Sequence, residues 1–364
     1  MTPLIREIRT RPLFWLLGLV PAVLIAELVT PQAHTLLFVL STLAIVPLAA
    51  LLSEATESVA ARTGDTVGGL LNATLGNLTE LVITLAALHA GQYALVKGAI
   101  AGAIVTNVLF GGGAALLIGG LKYHVQDYNP NTTRLQGSLL FVAAVALLVP
   151  SVLADVDKVP ASPAALQKLS LGLSVVLIGL YGLGLVFSLN THGKFFATAD
   201  HEGSGKVPWS LGLAFATLAG VTVLVALVSE VFVESVQQAA TALGMAPAFV
   251  GFIIVPLVGG AAEFVAAFAA AGKNRLDLSL SIVFGSASQI ALFVAPVLVL
   301  ASYFVGPTPM DLQIWSGAVT MIFIATIAVA LVTSTGWSAW FIGALVATVY
   351  LILAMALYVL PPQS

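Results

Sequence analysis

The chain has 364 residues, of which 59% are hydrophobic and 8% charged, with a formal net charge of -3 and no cysteine. Soluble domains carry about 25% charged residues, so the composition excludes an ordinary water-soluble protein and calls for a bilayer. It also excludes disulfides and thiolate metal sites, and the lack of a basic stripe excludes nucleic acid as a partner.

A membrane span needs about 20 mostly apolar residues. Such runs are predicted near 13–29, 35–61, 67–89, 95–121, 135–153, 164–189, 209–239, 247–272, 276–304, 312–332 and 337–360. The expected fold class is an all-α integral membrane protein with eleven transmembrane helices. Arg6, Arg9 and Arg11 precede the first run without a small-residue cleavage site, so that run reads as a retained span. Trp15, Trp209, Trp315, Trp337 and Trp340 fall near predicted span ends, where the headgroup region favours them. With the N-terminus inside, the inner loops and ends hold Arg6, Arg9, Arg11, Arg62, Lys122, Arg134, Lys194, Lys206, Lys273 and Arg275. Only Lys97, Lys158 and Lys168 remain outside. The positive-inside rule therefore predicts a cytoplasmic N-terminus and an extracytoplasmic C-terminus.

The longest polar stretch separates two similar halves. Gly76-Asn77-Leu78-Thr79-Glu80 matches Gly259-Gly260-Ala261-Ala262-Glu263 at an offset of 183 residues, and the same offset carries Gly102 onto Gly285. The organisation read from this is a leading segment 1–33 with the first span, a five-span repeat 34–190, a polar linker 191–207 and a second five-span repeat 208–364. Five is odd, so the second copy is inverted, an arrangement typical of transporters with a site at the repeat interface.

A carboxylate at membrane depth costs about 2.5–3.5 kcal/mol even on insertion scales. Glu80 and Glu263 fall mid-span at matching repeat positions, which makes them the candidate ion-binding pair. Gly76 and Asn77 precede the first, and Pro256, Gly259 and Gly260 the second, so both helices are expected to break there and free carbonyl oxygens. Two carboxylates with carbonyls and amides form an oxygen-rich shell suited to a hard cation such as calcium. Thr106, Asn107, Ser286, Ser288 and Gln289 add polar groups in spans four and nine. Helix packing explains the small residues among them equally well, whereas a buried Gln289 amide calls for a partner.

Glu54 with Glu57, and Glu230 with Glu234, each share one helix face. They are expected at opposite mouths, as vestibule acids that concentrate cations or as ordinary solvated helix ends. Glu27 reads as a snorkelling side chain near the end of span one. No nucleotide-binding loop is present, so uphill transport would draw on an ion gradient.

The stretch Thr66 to Glu80, together with Gly259-Gly-Ala-Ala-Glu263, Lys273-Asn-Arg-Leu-Asp-Leu278 and Gly285-Ser-Ala-Ser-Gln-Ile-Ala-Leu-Phe293, resembles the calcium/proton exchanger family of the cation/calcium exchanger superfamily. The resemblance covers roughly residues 35–360. It implies one leading helix plus two inverted five-helix repeats, and removal of cytosolic calcium driven by protons. It also implies Glu80 and Glu263 as the essential acids, with Asn77, Ser286 and Gln289 in support. Calcium is then a transported substrate, protons the counter-ion, the lipid bilayer the surroundings, and no resident cofactor is expected. A compact chain without the long N-terminal extension of plant relatives suggests a prokaryotic plasma membrane. Gly260 and Phe264 stand where the family's second motif commonly has Asn and His, which removes one amide from the expected shell. The alternatives are a sodium/calcium exchanger of the same superfamily and, from a different class, a passive cation channel.

Overall fold

The structure, a computed structural model, describes residues 3–63, 65–154, 162–191, 209–332 and 335–359. Thr191 apart, the linker 191–207 lies outside the described residues, as do Lys158, Lys194 and Lys206 of the charge count.

The chain is nearly all helical. A short amphipathic helix α1 (Pro3–Thr10) leads into α2 (Pro12–Val29), whose first turns are 3-10, and then α3 (His34–Arg62). The bent pair α4 (Asp65–Leu75) and α5 (Leu78–His89) follows. Next come α6 (Tyr93–Tyr123), α7 (Pro130–Ala154), α8 (Pro163–Thr191) and α9 (Leu211–Ala242). A second bent pair, α10 (Pro247–Gly259) and α11 (Ala261–Ala271), precedes α12 (Leu276–Ala301), α13 (Ser316–Val332) and α14 (Trp340–Val359). Among the described residues, eight helices are long and apolar enough to cross a membrane, or ten if each bent pair is one span, and α13 is a shorter apolar helix of 17 residues.

The large apolar side chains Leu28, Val176, Leu183 and Met355 point outward, as hydrocarbon rather than water surroundings require. The interior is closed by helices that touch backbone to backbone. A Cβ on Gly102 of α6 would run into the Phe252 carbonyl of α10, and one on Gly120 into the Trp340 backbone of α14. Small residues permit such contacts where apolar burial supplies little drive between helices in lipid. The long helices α3 and α9 lie along one another, with Phe38 and Phe232 stacked at 5.4 Å between ring centroids.

Each face carries a clasp. On the face bearing Arg62, Lys122, Arg134 and Lys273, here the basic face, β1 (Val125–Asp127) pairs antiparallel with β2 (Trp337–Ala339). Beside it, Lys122 Nζ and Tyr123 OH donate to the Gly272 carbonyl at 2.7 and 3.1 Å, capping the end of α11. The opposite face holds an extended strap over 302–315. The N–H groups of Met310, Leu312 and Ile314 donate to the hydroxyls of Ser302, Ser170 and Ser151 at 2.7, 3.0 and 3.0 Å. Lys97 of α6 pairs with Asp311 of the strap at 2.5 Å.

Three expectations change. The fold is not purely helical, because Trp337 to Ala339, predicted to open the last span, form a strand. The ninth span ends at Ala301 and the tenth begins at Ser316, since Pro307 and Pro309 cannot donate helical hydrogen bonds and the serines satisfy the extended strap. Trp209 is buried, and its carbonyl accepts from Arg62 Nε at 3.2 Å, so it is no headgroup anchor.

Candidate functional site

Both expected breaks occur where glycine and asparagine interrupt the apolar runs. The axes of α4 and α5 bend by 41° at Gly76-Asn77, and those of α10 and α11 by 59° at Gly260. Asn77 (φ -94, ψ 28) and Gly260 (φ -81, ψ 3) both leave the helical region. Helical bonding persists up to each break, with Gly76 N–H donating to the Asn72 carbonyl and Gly260 N–H to that of Pro256, both at 2.9 Å. Glu80 and Glu263 are each the third residue of the downstream half-helix. There the unpaired N–H groups and the positive end of the helix dipole face a carboxylate.

The two bent pairs interlock. A Cβ on Gly259 would stand 3.2 Å from Glu80 Cγ and 3.4 Å from its Oε1, so the break in one helix pair receives the glutamate of the other. A Cβ on Gly76 would stand 3.5 Å from Gln289 Oε1. Asn77 Nδ2 donates to Gln289 Oε1 at 2.7 Å, Ser286 Oγ donates to Asn77 Oδ1 at 2.6 Å, and Asn107 Nδ2 donates to Ser286 Oγ at 3.3 Å. Ser286 is also within hydrogen-bonding reach of Glu263, which in turn feels the charge of Glu80.

Three oxygens of this cluster, Glu80 Oε1, Glu263 Oε2 and Asn107 Oδ1, are buried with no hydrogen-bond partner. An unsatisfied buried polar atom costs about 1–3 kcal/mol, more if charged, so these oxygens are candidates to accept from a bound group. Among the described residues no group of three or more His, Cys, Asp or Glu converges as a metal site. An ion here would rest on two carboxylates and neutral oxygens, a hard-oxygen environment.

Space around the cluster is lopsided. Toward the basic face, beside Arg134, lies a cavity of about 180 Å3 lined by parts of α4, α7, α8 and α12, with Gln289 in its wall. Tyr181 OH donates to the Ala73 carbonyl at 2.8 Å in this wall, satisfying a backbone oxygen just ahead of the break. On the other side of Glu80 only about 10 Å3 remains, enclosed by Ile83, Ile100, Val255, Ile290 and Val294.

The structure thus gathers Gly76, Asn77, Glu80, Gly259, Gly260, Glu263, Ser286 and Gln289 around the two breaks. Gly260 contributes backbone only. The Phe264 ring would lie 3.1 Å from a Cβ at that position, and it packs edge-on against Phe110 at 5.3 Å between centroids. The acid pairs lie apart. Glu54 forms an ion pair with Arg11, while Glu57, Glu230 and Glu234 are exposed. Glu27 lies close enough to Glu230 and Glu234 to feel their charges. Four further polar residues, Thr132, Gln136, Tyr181 and Ser188, line the cavity without having been singled out. Tyr181 is a lone polar side chain within an apolar run, and Thr132 and Gln136 fall in the polar stretch that opens α7.

The sequence profile of the sodium/calcium exchanger protein family matches residues 33–190 and 213–359. The chain is 38% identical over 339 residues to a Ca(2+)/H(+) antiporter of Aphanothece halophytica, covering 89% of this chain and 90% of the relative. It is 36% identical over 328 residues to the Ca(2+)/H(+) antiporter ChaA of Bacillus subtilis (strain 168), covering 89% and 92%. The solved structure of native YfkE superimposes with a TM-score of 0.81 at 33% identity, covering 96% of this chain and all of that one. By profile, identity and fold together, the chain belongs to the sodium/calcium exchanger protein family.

Proposed function

We propose that the protein is a secondary antiporter that exchanges cytosolic calcium for protons by alternating access, with Glu80 and Glu263 carrying either calcium or protons. The chemistry named for both bacterial relatives supports the exchange. The observation that carries the glutamate assignment is the trio of unpartnered buried oxygens on Glu80, Glu263 and Asn107. Two carboxylates sharing a dry site repel unless a cation or protons neutralise them. The empty, doubly charged site is therefore disfavoured during reorientation, and that restriction couples the two fluxes. Asn77, Ser286 and Gln289 hold the carboxylates and amides in register, while Gly76, Gly259 and Gly260 let the backbone break.

The arrangement we favour is one leading span and ten further spans in two inverted repeats, in a prokaryotic plasma membrane with the N-terminus cytoplasmic. It is supported by the eight long helices, the two bent pairs and α13, and by a family profile that matches two separate stretches. With the basic face cytoplasmic, the larger cavity opens inward and the apolar packing beyond Glu80 closes the outer side.

The test is calcium uptake into everted vesicles under an imposed pH gradient. Glu80→Gln and Glu263→Gln should each lower uptake at least about 100-fold, since breaking a buried charged set costs about 3 kcal/mol or more. Normal uptake in both variants would overturn the glutamate assignment. Uptake driven by a sodium gradient at fixed pH, but not by a pH gradient, would replace protons by sodium.

A further inference from the structure

We infer that Gln136, on α7, is the first protein ligand that calcium meets from the basic face, an ion-binding residue of the access path outside the glutamate cluster. This rests on the calcium antiport reading. The cavity of about 180 Å3 is lined by neutral polar side chains, Thr132, Gln136, Tyr181, Ser188, Ser288 and Gln289, and no carboxylate. Of these, Gln136 carries a buried side-chain oxygen without a hydrogen-bond partner.

The amide is held in place from several sides. Its Nε2 donates to the Ser281 carbonyl at 3.4 Å, and its backbone carbonyl accepts from Ser288 Oγ at 3.3 Å. A Cβ on Gly285 would stand 3.3 Å from Nε2, so the glycine is what lets α12 approach this amide. One residue beyond Ser288, Gln289 lines the same cavity and accepts from Asn77 at 2.7 Å. A chain of neutral oxygens thereby leads from the cavity to the glutamate cluster.

A hydrated divalent ion must exchange water for protein oxygens before it reaches the carboxylates. A neutral amide does this without trapping the ion, because a site on a conduction path has to bind weakly enough to let go. The repeat offset of 183 places Val319, not a polar residue, at the corresponding point of the second half, where it is buried. The device therefore serves one face only, and that makes it separable from a general packing role.

The experiment compares calcium KM from the two faces, in everted and right-side-out vesicles. Gln136→Leu should raise KM from the basic face about fivefold, the loss expected for one neutral polar contact, with kcat and the KM from the opposite face unchanged. Gln136→Glu should restore a low KM on the basic face. Gln136→Met, unbranched and similar in length, repeats the test should the Leu variant fold poorly. An unchanged KM in both apolar variants, or an equal rise on both faces, would overturn the inference. Absence of calcium flux in the wild-type protein would instead overturn the antiport reading on which it rests.

Discussion

The two helix breaks occupy matching repeat positions and yet differ in chemistry. At the first, Asn77 supplies an amide that binds both Gln289 and Ser286, at 2.7 and 2.6 Å. At the second, Gly260 has no side chain, and the Phe264 ring packs within 3.1 Å of where its Cβ would be. The two breaks thus share a bent backbone without sharing side-chain chemistry. One half is braced by hydrogen bonds across the interface, the other by aromatic packing beneath Glu263. The sharper bend, 59° against 41°, falls at the half without an amide.

The largest effect that would sharpen this contrast is expected from the amide itself. Asn77→Leu removes two short hydrogen bonds and leaves the Gln289 carbonyl and the Ser286 hydroxyl to find new partners. At about 1–3 kcal/mol for each buried group left unsatisfied, calcium uptake should fall roughly 30-fold or more. Uptake within twofold of wild type would show that the first break needs no amide.

The next effect concerns Gly260. Restoring an amide by Gly260→Asn crowds the Phe264 ring, and overpacking of this kind costs about 1–3 kcal/mol. Thermal unfolding in detergent should register a lower midpoint for the single variant. Combined with Phe264→Ala, the two losses should sum to less than their separate values, with a coupling of about 0.5–3 kcal/mol for residues in contact. Strict additivity of the two substitutions would show that position 260 and the Phe264 ring do not constrain each other.

The smallest effect belongs to the strap. The Lys97 to Asp311 pair is partly exposed, with side-chain exposures of 21% and 31%, and such pairs contribute about 0–1 kcal/mol. Lys97→Ala should therefore change stability little. A shift in the unfolding midpoint as large as that of Gly260→Asn would mean that the strap, rather than the breaks, governs the rigidity of the helix frame.

Much of this was legible in the sequence, for a physical reason. Lipid forces long apolar runs, and a Glu inside such a run, one turn after Gly-Asn or Gly-Gly, has few explanations other than a functional break. The positions of both bends could be read from those pairings. The strap could not, because two of its amides are held by the hydroxyls of Ser170 on α8 and Ser151 on α7, 142 and 163 positions away in the chain. Nor could the ion pair that joins Arg11, just ahead of α2, to Glu54 of α3.

By itself, the sequence determined the need for a bilayer, most of the apolar helices and the positions of the two bends. Each of these follows from local composition and spacing, since hydrocarbon penalises every unpaired charge and every free backbone group. Only the tertiary structure decided that Glu80 lies against Gly259 of the opposite half, that Asn107 leaves an oxygen unpartnered beside the pair, and that the larger cavity opens on the basic face. Those features depend on how helices distant in the chain pack against one another, which local composition and spacing do not set.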